Sequence, residues 1–565
     1  MSQPITERQN PLTSNIDIAS PQDFVHLLEN CDMQMFGGYE NAEGLQSQQI
    51  LSTVEEISSV AASILQGGDN GLIVFSGCGT SGRIGFMTSR TFGRQLENSG
   101  RSNCYQYIIA GGDKALLTSQ ELYEDDPTHG AHMLTQVCAG KKQVLYIGIT
   151  CGLSAPFVAG QLEHCLQHLD TFTPVLLGFN HIHQARNKSI EKWDKTFLQV
   201  AKGLSDASHE GKAFILNPII GPEPITGSSR MKGGSATKIL LDVICTCAHL
   251  KAFHPQEVCS VSDLICQYKT VIGCVYKKGH DLSQLVRAGG QSLQSGGHIY
   301  YLGEDTCGIL GLVDASECRP TFGAALDDVR GFVDGGFVTL GNNDGDLSQL
   351  GEEYHISTTD FQREIFSSLT DRDLVIYCNP DMKASVPSSC AKTAIVRIVG
   401  EADRPCSMSE GADISVNICV PSSFCPSVRE LAVKLVYNAV STGAHIISGK
   451  VFNNLMVDVR ISNNKLYHRG ISIIQTFGKC STAKAEEFLL RSIYNCDLLT
   501  SDQKSASIMA HIQHACPQPK IIPVALIQAF TDCGVQEAKE RLASSPVIRT
   551  AILQVMTDHR STENS

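Results

Sequence analysis

The chain has 565 residues, too many for a single hydrophobic core, so two or three domains are expected. Hydrophobic residues make up 42% of the chain, as in a globular protein, and the net charge of -13 argues against a nucleic-acid partner, because phosphate backbones require a basic surface. No apolar run reaches the length of a membrane span and no secretory signal pattern is present, so neither a membrane partner nor export is expected. The 22 cysteines show no metal-binding spacing, and we expect reduced thiols and no metal site.

The first half of the chain alternates apolar runs with helical patterns. Residues 54–66 place apolar side chains at helical spacing, and a Gly-Gly pair ends that helix. Short runs that are apolar on both faces follow, at residues 72–75, 107–110, 144–149, 174–179 and 213–216. Each is separated from the next by enough residues for a crossover helix. Strands buried on both faces and alternating with helices predict a doubly wound, mostly parallel sheet.

The same pattern begins again near residue 297. Setting Gly303 against Gly77 also aligns Thr306 with Thr80, and in both copies the match follows a strand. The second set of apolar runs lies at residues 299–302, 374–377, 395–399 and 414–420. We therefore predict two copies of one α/β domain, joined by a largely helical connection at residues 233–295.

The predicted fold class is α/β, with two doubly wound parallel-sheet domains and a small all-helical C-terminal domain. Helix formers dominate beyond residue 480, which is the basis for the last part. The predicted divisions are an N-terminal segment at 1–50, a first domain at 51–257, a second at 258–450 and the helical domain at 451–565.

Residues 77–83 read Gly-Cys-Gly-Thr-Ser-Gly-Arg and lie between a predicted strand and a predicted helix. Gly79 lets the backbone approach a ligand closely, and Thr80 and Ser81 supply hydroxyl donors. The helix that begins there directs free N–H groups and its positive dipole end toward an anion. The loop lacks the lysine of a nucleotide-binding P-loop and the full dinucleotide spacing, so a phosphorylated ligand other than ATP or NAD is favoured. A tight turn without a ligand is the alternative.

Two further loops are predicted to emerge at the same edge of the first sheet. They contribute small and hydroxyl-bearing residues, namely Thr150, Cys151, Gly152, Ser154, Ser228 and Ser229. Ligands of parallel sheets bind at this edge, so three such loops suit a polyol phosphate, although each loop alone is also explained by helix capping. Glu124 lies in an acidic cluster that indicates either acid–base chemistry or a solvated helix face.

The second copy has lost the features of this loop. Asp305, Cys307 and Ile309 stand in the positions of a glycine, a serine and an arginine of the first copy. An aspartate repels a phosphate, and the hydroxyl and the cation are missing. One sugar-phosphate site is therefore predicted.

The motif at 79–83 and the later hydroxyl loop resemble the sugar isomerase (SIS) domain. Segments 5–11, 221–238 and 449–459 resemble the bacterial N-acetylmuramic acid 6-phosphate etherases more specifically. The etherase pattern stops near residue 250 and resumes near 436, so a second SIS copy interrupts it. This tandem arrangement with a helical lid is similar to the vertebrate glucokinase regulatory protein family over essentially the whole chain.

The resemblance implies a fructose-phosphate-responsive inhibitor of glucokinase that uses no cofactor. In that family fructose 6-phosphate favours the inhibiting state, fructose 1-phosphate favours release, and the protein works in the cytoplasm and nucleus. Carried over to this sequence, the resemblance implies that Thr80 and Ser81 hold phosphate, that Glu124 holds a sugar hydroxyl, and that Lys465 reports which ligand is bound. The implied site is completed by Thr150, Cys151, Gly152, Ser228 and Ser229.

The main alternative is an enzyme, a sugar-phosphate lyase or isomerase with etherase chemistry. The etherase family uses two glutamates as acid and base, of which one matches Glu124 and the other falls at Thr91, which has no carboxylate. The matching string that contains Glu317 survives in the second copy, beside the degraded loop. Because loss of one acid removes orders of magnitude of rate, the sequence favours a binding protein. A sugar-phosphate sensor with another partner is a further alternative.

The resemblance also implies a partner surface in the second SIS domain, where an apolar turn with paired leucines contacts glucokinase. The aligned stretch here is 421–425, and it contains no leucine. We expect the surface to include Val420, Ser422, Ser423 and Phe424. Either Val420 and Phe424 replace the aliphatic anchor, or glucokinase binding is weak.

Overall fold

A computed structural model describes residues 3–191, 193–257, 260–378, 391–400, 412–544 and 548–563. The N-terminal segment combines short 3₁₀ turns with two helices. These are the 3₁₀ helices Ile5–Glu7, Pro11–Thr13 and Ile16–Ile18, followed by α1 (Pro21–Gly37) and α2 (Gln48–Gln66). None of the described helices combines the length and the apolar character needed to cross a lipid bilayer.

The first α/β domain contains a five-stranded sheet in which all neighbouring strands are parallel. Its elements are β1 (Gly71–Gly77), α3 (Thr80–Asn98), β2 (Tyr105–Ile109), α4 (Lys114–Leu117), α5 (Pro127–Val137), β3 (Gln143–Ile149), α6 (Pro156–Gln167), β4 (Phe172–Leu177), α7 (Phe197–His209) and β5 (Phe214–Leu216). The strand order is β2-β1-β3-β4-β5. Every residue of β1 is buried, as expected for a central strand covered by helices on both faces. The predicted doubly wound sheet is confirmed.

A helical connection leads into a second sheet of the same topology. The connection comprises α8 (Lys232–Phe253), α9 (Val261–Tyr276) and α10 (Gly279–Gln294). The second domain comprises β6 (Ile299–Gly303), α11 (Asp305–Phe322), β7 (Val329–Val333), α12 (Gly336–Leu340), α13 (Thr358–Glu364), β8 (Leu374–Cys378), β9 (Lys392–Gly400), β10 (Ile414–Val420) and α14 (Val428–Ile447). Its strand order, β7-β6-β8-β9-β10, repeats that of the first sheet strand for strand, as duplication requires.

Strand β7 is absent from the sequence-based prediction because its middle residues are Arg330 and Gly331, which interrupt the apolar run. The Arg330 guanidinium is buried and donates hydrogen bonds to the backbone carbonyls of Glu352 and His355. A side chain at Gly331 would meet the backbone of α11 at 2.5 Å, so the glycine allows that helix to pack against the strand.

The C-terminal region is helical apart from its first residues. A two-stranded hairpin, β11 (Val451–Phe452) and β12 (Leu455–Met456), precedes the helices, which differs from the predicted all-helical domain. The helices are α15 (Asn464–Gly478), α16 (Thr482–Tyr494), α17 (Ser501–Ser505), α18 (Ile508–Ala515), α19 (Ile521–Thr531), α20 (Val535–Ser544) and α21 (Ile548–Glu563). The hairpin attaches to the first domain, because Asn454 accepts the Thr226 N–H and donates its amide to the Asn10 carbonyl.

A buried ion pair joins the two α/β domains. Arg230, in the loop before α8, lies 3.0 Å from Asp314 of α11, and both side chains are almost fully buried. The guanidinium also donates to the hydroxyls of Ser441 and Thr442 on α14. Asp314 accepts further hydrogen bonds from the Tyr301 hydroxyl and the Asn438 amide, so the buried carboxylate is well satisfied.

Removal of Arg230 should destabilise the domain junction strongly, because Asp314 would remain buried and unpaired. We expect Arg230→Ala to lower the free energy of unfolding by about 3–5 kcal/mol, measured by chemical denaturation. Arg363 pairs with Asp360 on an exposed surface, and Arg363→Ala should cost less than about 1 kcal/mol. Equal losses for the two variants would contradict this account of the junction.

Candidate functional site

The N-terminus of α3 opens directly into a pocket at the edge of the first sheet. Gly79 precedes the helix with φ 50° and ψ −125°, a conformation that favours glycine, and no side chain caps the helix. A Cβ at Gly79 would meet only the Glu124 carboxylate, at 3.5 Å. The Ser81 N–H donates to the Cys78 carbonyl, and the positive end of the helix lies at the pocket wall, an arrangement that favours an anion such as phosphate.

The pocket lies where the strand order reverses. Strands β1 and β3 are neighbours, and their last residues Gly77 and Ile149 are opposite each other in the register. The chain leaves β1 and β3 toward helices on opposite faces, so a crevice opens between the two following loops. Thr150 lies in the second of these loops, where its hydroxyl accepts the backbone N–H groups of Ser154 and Ala155. Thr150 thus shapes the turn and keeps its hydroxyl proton for another acceptor.

The third predicted loop, with Ser228 and Ser229, forms another wall of the pocket. The Ser228 hydroxyl is buried and has no hydrogen-bond partner among the described residues. An unpaired buried hydroxyl is costly and is satisfied when a polar ligand fills the pocket. The two cations that follow are used within the protein, because Arg230 pairs with Asp314 and the Lys232 ammonium donates to Gln34 and the Pro222 carbonyl.

The N-terminus of α8 is already occupied by a carboxylate of the chain. Glu223 accepts the backbone N–H groups of Lys232 and Gly233, both at 2.8 Å. A phosphate cannot use that helix end, so α3 supplies the anion-binding helix terminus of the pocket.

The predicted sugar-phosphate residues all line this one pocket, including Glu124 and Lys465. Glu124 lies on the 3₁₀ helix Glu121–Asp125, and Asn463 donates a hydrogen bond to it at 3.5 Å. Lys465 belongs to the first turn of α15, and Asn463 caps that helix by accepting the Leu466 N–H. The lid thus closes over the first domain, as the position of Lys465 in the sequence predicted.

A second carboxylate, which the sequence interpretation placed elsewhere, also lines the pocket. Glu317 of α11 reaches across from the second domain and accepts a hydrogen bond from the Thr80 hydroxyl. Arg83 lies 3.7 Å away, and burial raises the pKa of Glu317 above its usual value. Thr91 hydrogen-bonds Glu430 instead. Glu317 thus brings a carboxylate of the second domain into the pocket that Glu124 also lines, while the position of Thr91 carries none.

The thiols of the pocket are neutral. Burial raises the pKa of Cys151 to about 11 and that of Cys78 well above its usual value. The Cys151 thiol lies 3.7 Å from the Ser81 hydroxyl, within the range of a weak hydrogen bond to sulfur. Neutral buried thiols are poor nucleophiles, so these cysteines act as small neutral wall residues.

The N-terminal segment adds residues that local sequence patterns do not indicate. Thr6 is fixed by two hydrogen bonds with the Asn180 side chain, and Glu7 forms an ion pair of 2.7 Å with Arg469 of α15. A Cβ at Gly227 would meet the Arg469 guanidinium at 2.2 Å, so the glycine makes room for this contact. These residues share a wall formed by three distant parts of the chain.

The degraded loop of the second domain is closed by cations of the first. The carboxylate of Asp305 forms ion pairs with Arg90 and Arg94 of α3. Arg90 also donates to Thr306 and to the carbonyl of Leu340. This loop is used for contact between the domains, in agreement with the prediction that it has lost phosphate binding.

The predicted partner surface requires one correction. Val420 is 0% exposed at the end of β10 and therefore offers no contact to another protein. Ser422 and Ser423 are exposed, and Phe424 is half-buried against the main core. Of the predicted partner surface, only residues 422–424 are exposed or partly exposed, and the prediction is thus limited to them.

The two sheets, the pocket at the switch point of the first and the helical lid define a tandem SIS-domain protein. Family models match in three places: the N-terminal SIS domain of glucokinase regulatory protein at residues 54–166, its second SIS domain at 276–382, and its C-terminal lid domain at 453–552. Each match lies within one predicted domain, whose boundaries stay predictions.

The chain is 38% identical to glucokinase regulatory protein of Xenopus laevis, over 98% of this chain and 93% of that one. It is 37% identical to glucokinase regulatory protein of Homo sapiens, over 97% of this chain and 92% of that one. The N-acetylmuramic acid 6-phosphate etherase 2 of Vibrio cholerae is 29% identical over 44% of this chain and 69% of its own length. The chain belongs to the glucokinase regulatory protein family.

Glu223 should make stability depend on pH. Burial raises its pKa from 4.5 to about 7. The folded state therefore holds this proton more tightly, and the stability it contributes is full below about pH 4.5 and is lost as the pH rises through about 7. We expect the wild-type protein to lose more unfolding free energy between pH 5 and 8 than Glu223→Gln, by an amount on the order of 3 kcal/mol.

Denaturation curves at pH 5, 6.5 and 8 test this difference. Glu56→Gln, which changes an exposed carboxylate on α2, is the control and should follow the wild-type curve. If Glu223→Gln showed the same pH slope as wild type, the assignment of this titration to Glu223 would be refuted.

Proposed function

We propose that this chain binds and inhibits glucokinase, with inhibition promoted by fructose 6-phosphate and relieved by fructose 1-phosphate. Family membership supports the glucokinase partner, since relatives that match nearly the whole chain carry that name. One observation carries the effector part: the uncapped N-terminus of α3 faces a hydroxyl-lined pocket that the lid helix α15 closes. We also propose that the protein acts in the cytoplasm and nucleus, as the family resemblance implies.

The proposed ligand places its phosphate at the start of α3. The helix start and the Ser81 hydroxyl donate to phosphate oxygens, the Thr80 hydroxyl turns from Glu317 to the phosphate on binding, and the Lys465 ammonium balances the charge. Glu124 and Glu317 accept hydrogen bonds from sugar hydroxyls, for which carboxylates are strong partners. The hydroxyl of Ser228 gains the partner that it lacks among the described residues.

The pocket has walls from both SIS domains and from the lid, so occupancy is linked to their relative positions. Glu317 belongs to the second domain and Lys465 to the lid, whereas Ser81 belongs to the first domain. Each fructose phosphate shifts the equilibrium between inhibiting and released states only by its difference in affinity for them. Two ligands with phosphate at opposite ends of the sugar contact these walls differently, which is the basis for opposite effects.

A glucokinase inhibition titration tests the proposal. Purified full-length protein should lower glucokinase activity, more strongly with fructose 6-phosphate, and fructose 1-phosphate should restore activity. Absence of inhibition at micromolar protein, with and without each ligand, would exclude glucokinase as the partner. If the ligands still bound under those conditions, the chain would be a sugar-phosphate sensor with another partner.

The phosphate contact is tested by Ser81→Ala. Hydrogen bonds to charged groups contribute about 1.5–3 kcal/mol, so the affinity for fructose 6-phosphate, measured by calorimetry, should fall about 10- to 100-fold. Ser99→Ala is the matched control, because Ser99 ends the same helix and its hydroxyl bonds only to the backbone of α3. Equal affinities for the two variants would contradict the placement of phosphate at Ser81.

Etherase chemistry is a second candidate because two carboxylates, Glu124 and Glu317, line one pocket. Elimination of lactate needs a base to take a proton and an acid to protonate the departing oxygen, which such a pair supplies. The burial-raised pKa of Glu317 suits the acid. The assay measures D-lactate released from N-acetylmuramic acid 6-phosphate by wild type, Glu124→Gln and Glu317→Gln. Release that both variants abolish would support an enzyme, and release no faster than in solvent would exclude it.

A further inference from the structure

A second and larger cavity, of about 870 Å³, adjoins the sugar-phosphate pocket. It lies between the N-terminal segment, the 183–188 stretch that follows β4, and helix α15 of the lid. The two cavities share wall residues, among them Gly152, Ser154 and Lys465. A ligand seated on the α3 N-terminus can therefore extend into the second cavity.

The walls of this second cavity carry an excess of positive charge. Arg186, Lys188, Lys465 and Arg469 line it, whereas Glu7 is the only carboxylate among the described lining residues. Glu7 is already paired with Arg469 at 2.7 Å. Arg186 has a distant carboxylate, Asp125 at 3.7 Å, that belongs to the wall of the first pocket.

Lys188 and Lys465 make no salt bridge within the described ranges. Lys188 and Arg186 lie close enough to His468, on the first turns of α15, to lower its pKa together with burial, to about 4. Burial, together with the Arg186 guanidinium, lowers the pKa of Lys188. Two cations side by side on one wall of a cavity form a positive surface that an anion stabilises.

We propose that the second cavity is a phosphate subsite, so that this chain binds a ketohexose bisphosphate across both cavities. One phosphate lies at the N-terminus of α3, and the other lies between Arg186, Lys188 and His468. The proposal rests on the sugar-phosphate site proposed above and extends it to a doubly phosphorylated ligand. The group that the subsite recognises is a phosphate dianion. It can come from the second phosphate of a bisphosphate or from free inorganic phosphate.

A bisphosphate at this position would also tie the lid to the first domain. Arg186 and Lys188 follow β4, whereas Lys465 and the neutral imidazole of His468 lie on α15, so one bisphosphate contacts groups on both sides of the cavity. The ligand then contributes contacts that hold α15 closed, beyond those that a monophosphate makes.

Calorimetry on the full-length protein tests the subsite with three probes: fructose 1,6-bisphosphate, fructose 6-phosphate and inorganic phosphate. We expect the bisphosphate to bind at least about tenfold more tightly than the monophosphate at low salt, with the difference shrinking as salt is added. Lys188→Gln should weaken the bisphosphate about tenfold and change the monophosphate less than twofold. Lys202→Gln removes an exposed lysine of α7 that lines neither cavity and should change neither affinity.

Inorganic phosphate, titrated into protein saturated with fructose 6-phosphate, separates the two sources. Suppose that inorganic phosphate bound, that Lys188→Gln weakened this binding, and that the bisphosphate bound no better than the monophosphate. The subsite would then belong to free phosphate, and the proposal of a bisphosphate ligand would be overturned. Equal affinities for all ligands in wild type and Lys188→Gln would overturn the subsite itself. If fructose 6-phosphate failed to bind while Lys188-dependent bisphosphate binding remained, the subsite would stand and the proposed fructose 6-phosphate response would fall.

Discussion

The buried pair between Arg230 and Asp314 is the interaction on which the geometry of the pocket depends. Arg230 directly follows the Ser228–Ser229 wall, and Asp314 lies one helical turn before Glu317, so one ion pair fixes two walls that belong to different domains. The pair is desolvated on both sides, and it is supported by hydrogen bonds from hydroxyls and an amide of α14 and β6. Such a network tolerates little displacement, which makes the relative position of the two SIS domains a structural constant of the site.

Duplication explains why the pocket has walls from both domains, and why the equivalent loop of the second domain does not form another such pocket among the described residues. Helices α3 and α11 are equivalent, and each presents its side chains to the loop that begins the other. Across this pseudo-symmetric contact Thr80 donates to Glu317, whereas the equivalent Thr306 accepts from Arg90. In the second loop the carboxylate of Asp305 stands where a phosphate would bind, and it neutralises Arg90 and Arg94 without a ligand. The loop of the first domain thus faces the pocket, whereas the equivalent loop of the second domain holds the two domains together.

The sequence predicted the pocket to the extent that the pocket follows from local rules. Loops after adjacent parallel strands must meet at one sheet edge, so Thr80, Thr150 and Ser228 were brought together without knowledge of the packing. The sequence did not predict that Glu317 and Arg469 line the pocket. Their positions depend on how the domains and the lid pack together, which no periodic pattern of residues indicates. Val420 was placed on the partner surface by the family resemblance, although it ends the predicted strand 414–420 and its side chain is buried. Strand β7 was missed because a buried arginine and a glycine interrupt its apolar pattern, and both residues are there for tertiary contacts.

If the pocket binds sugar phosphates as proposed, the lid is the part of the site able to distinguish one from another. The first domain offers fixed groups, since the α3 terminus, the Thr150 turn and the Ser228 loop are held by backbone hydrogen bonds inside a packed core. Helix α15 packs against α16 and α19 of the lid, and its polar contacts with the first domain and the N-terminal segment include the Asn464 bond to Asp125 and the Arg469 pair with Glu7. Contacts with Asp125 and Glu7 are made to residues of the pocket itself, so a ligand that moves either carboxylate acts directly on the lid. Discrimination between ligands therefore requires no long-range pathway, because the element that responds is itself a wall of the binding site.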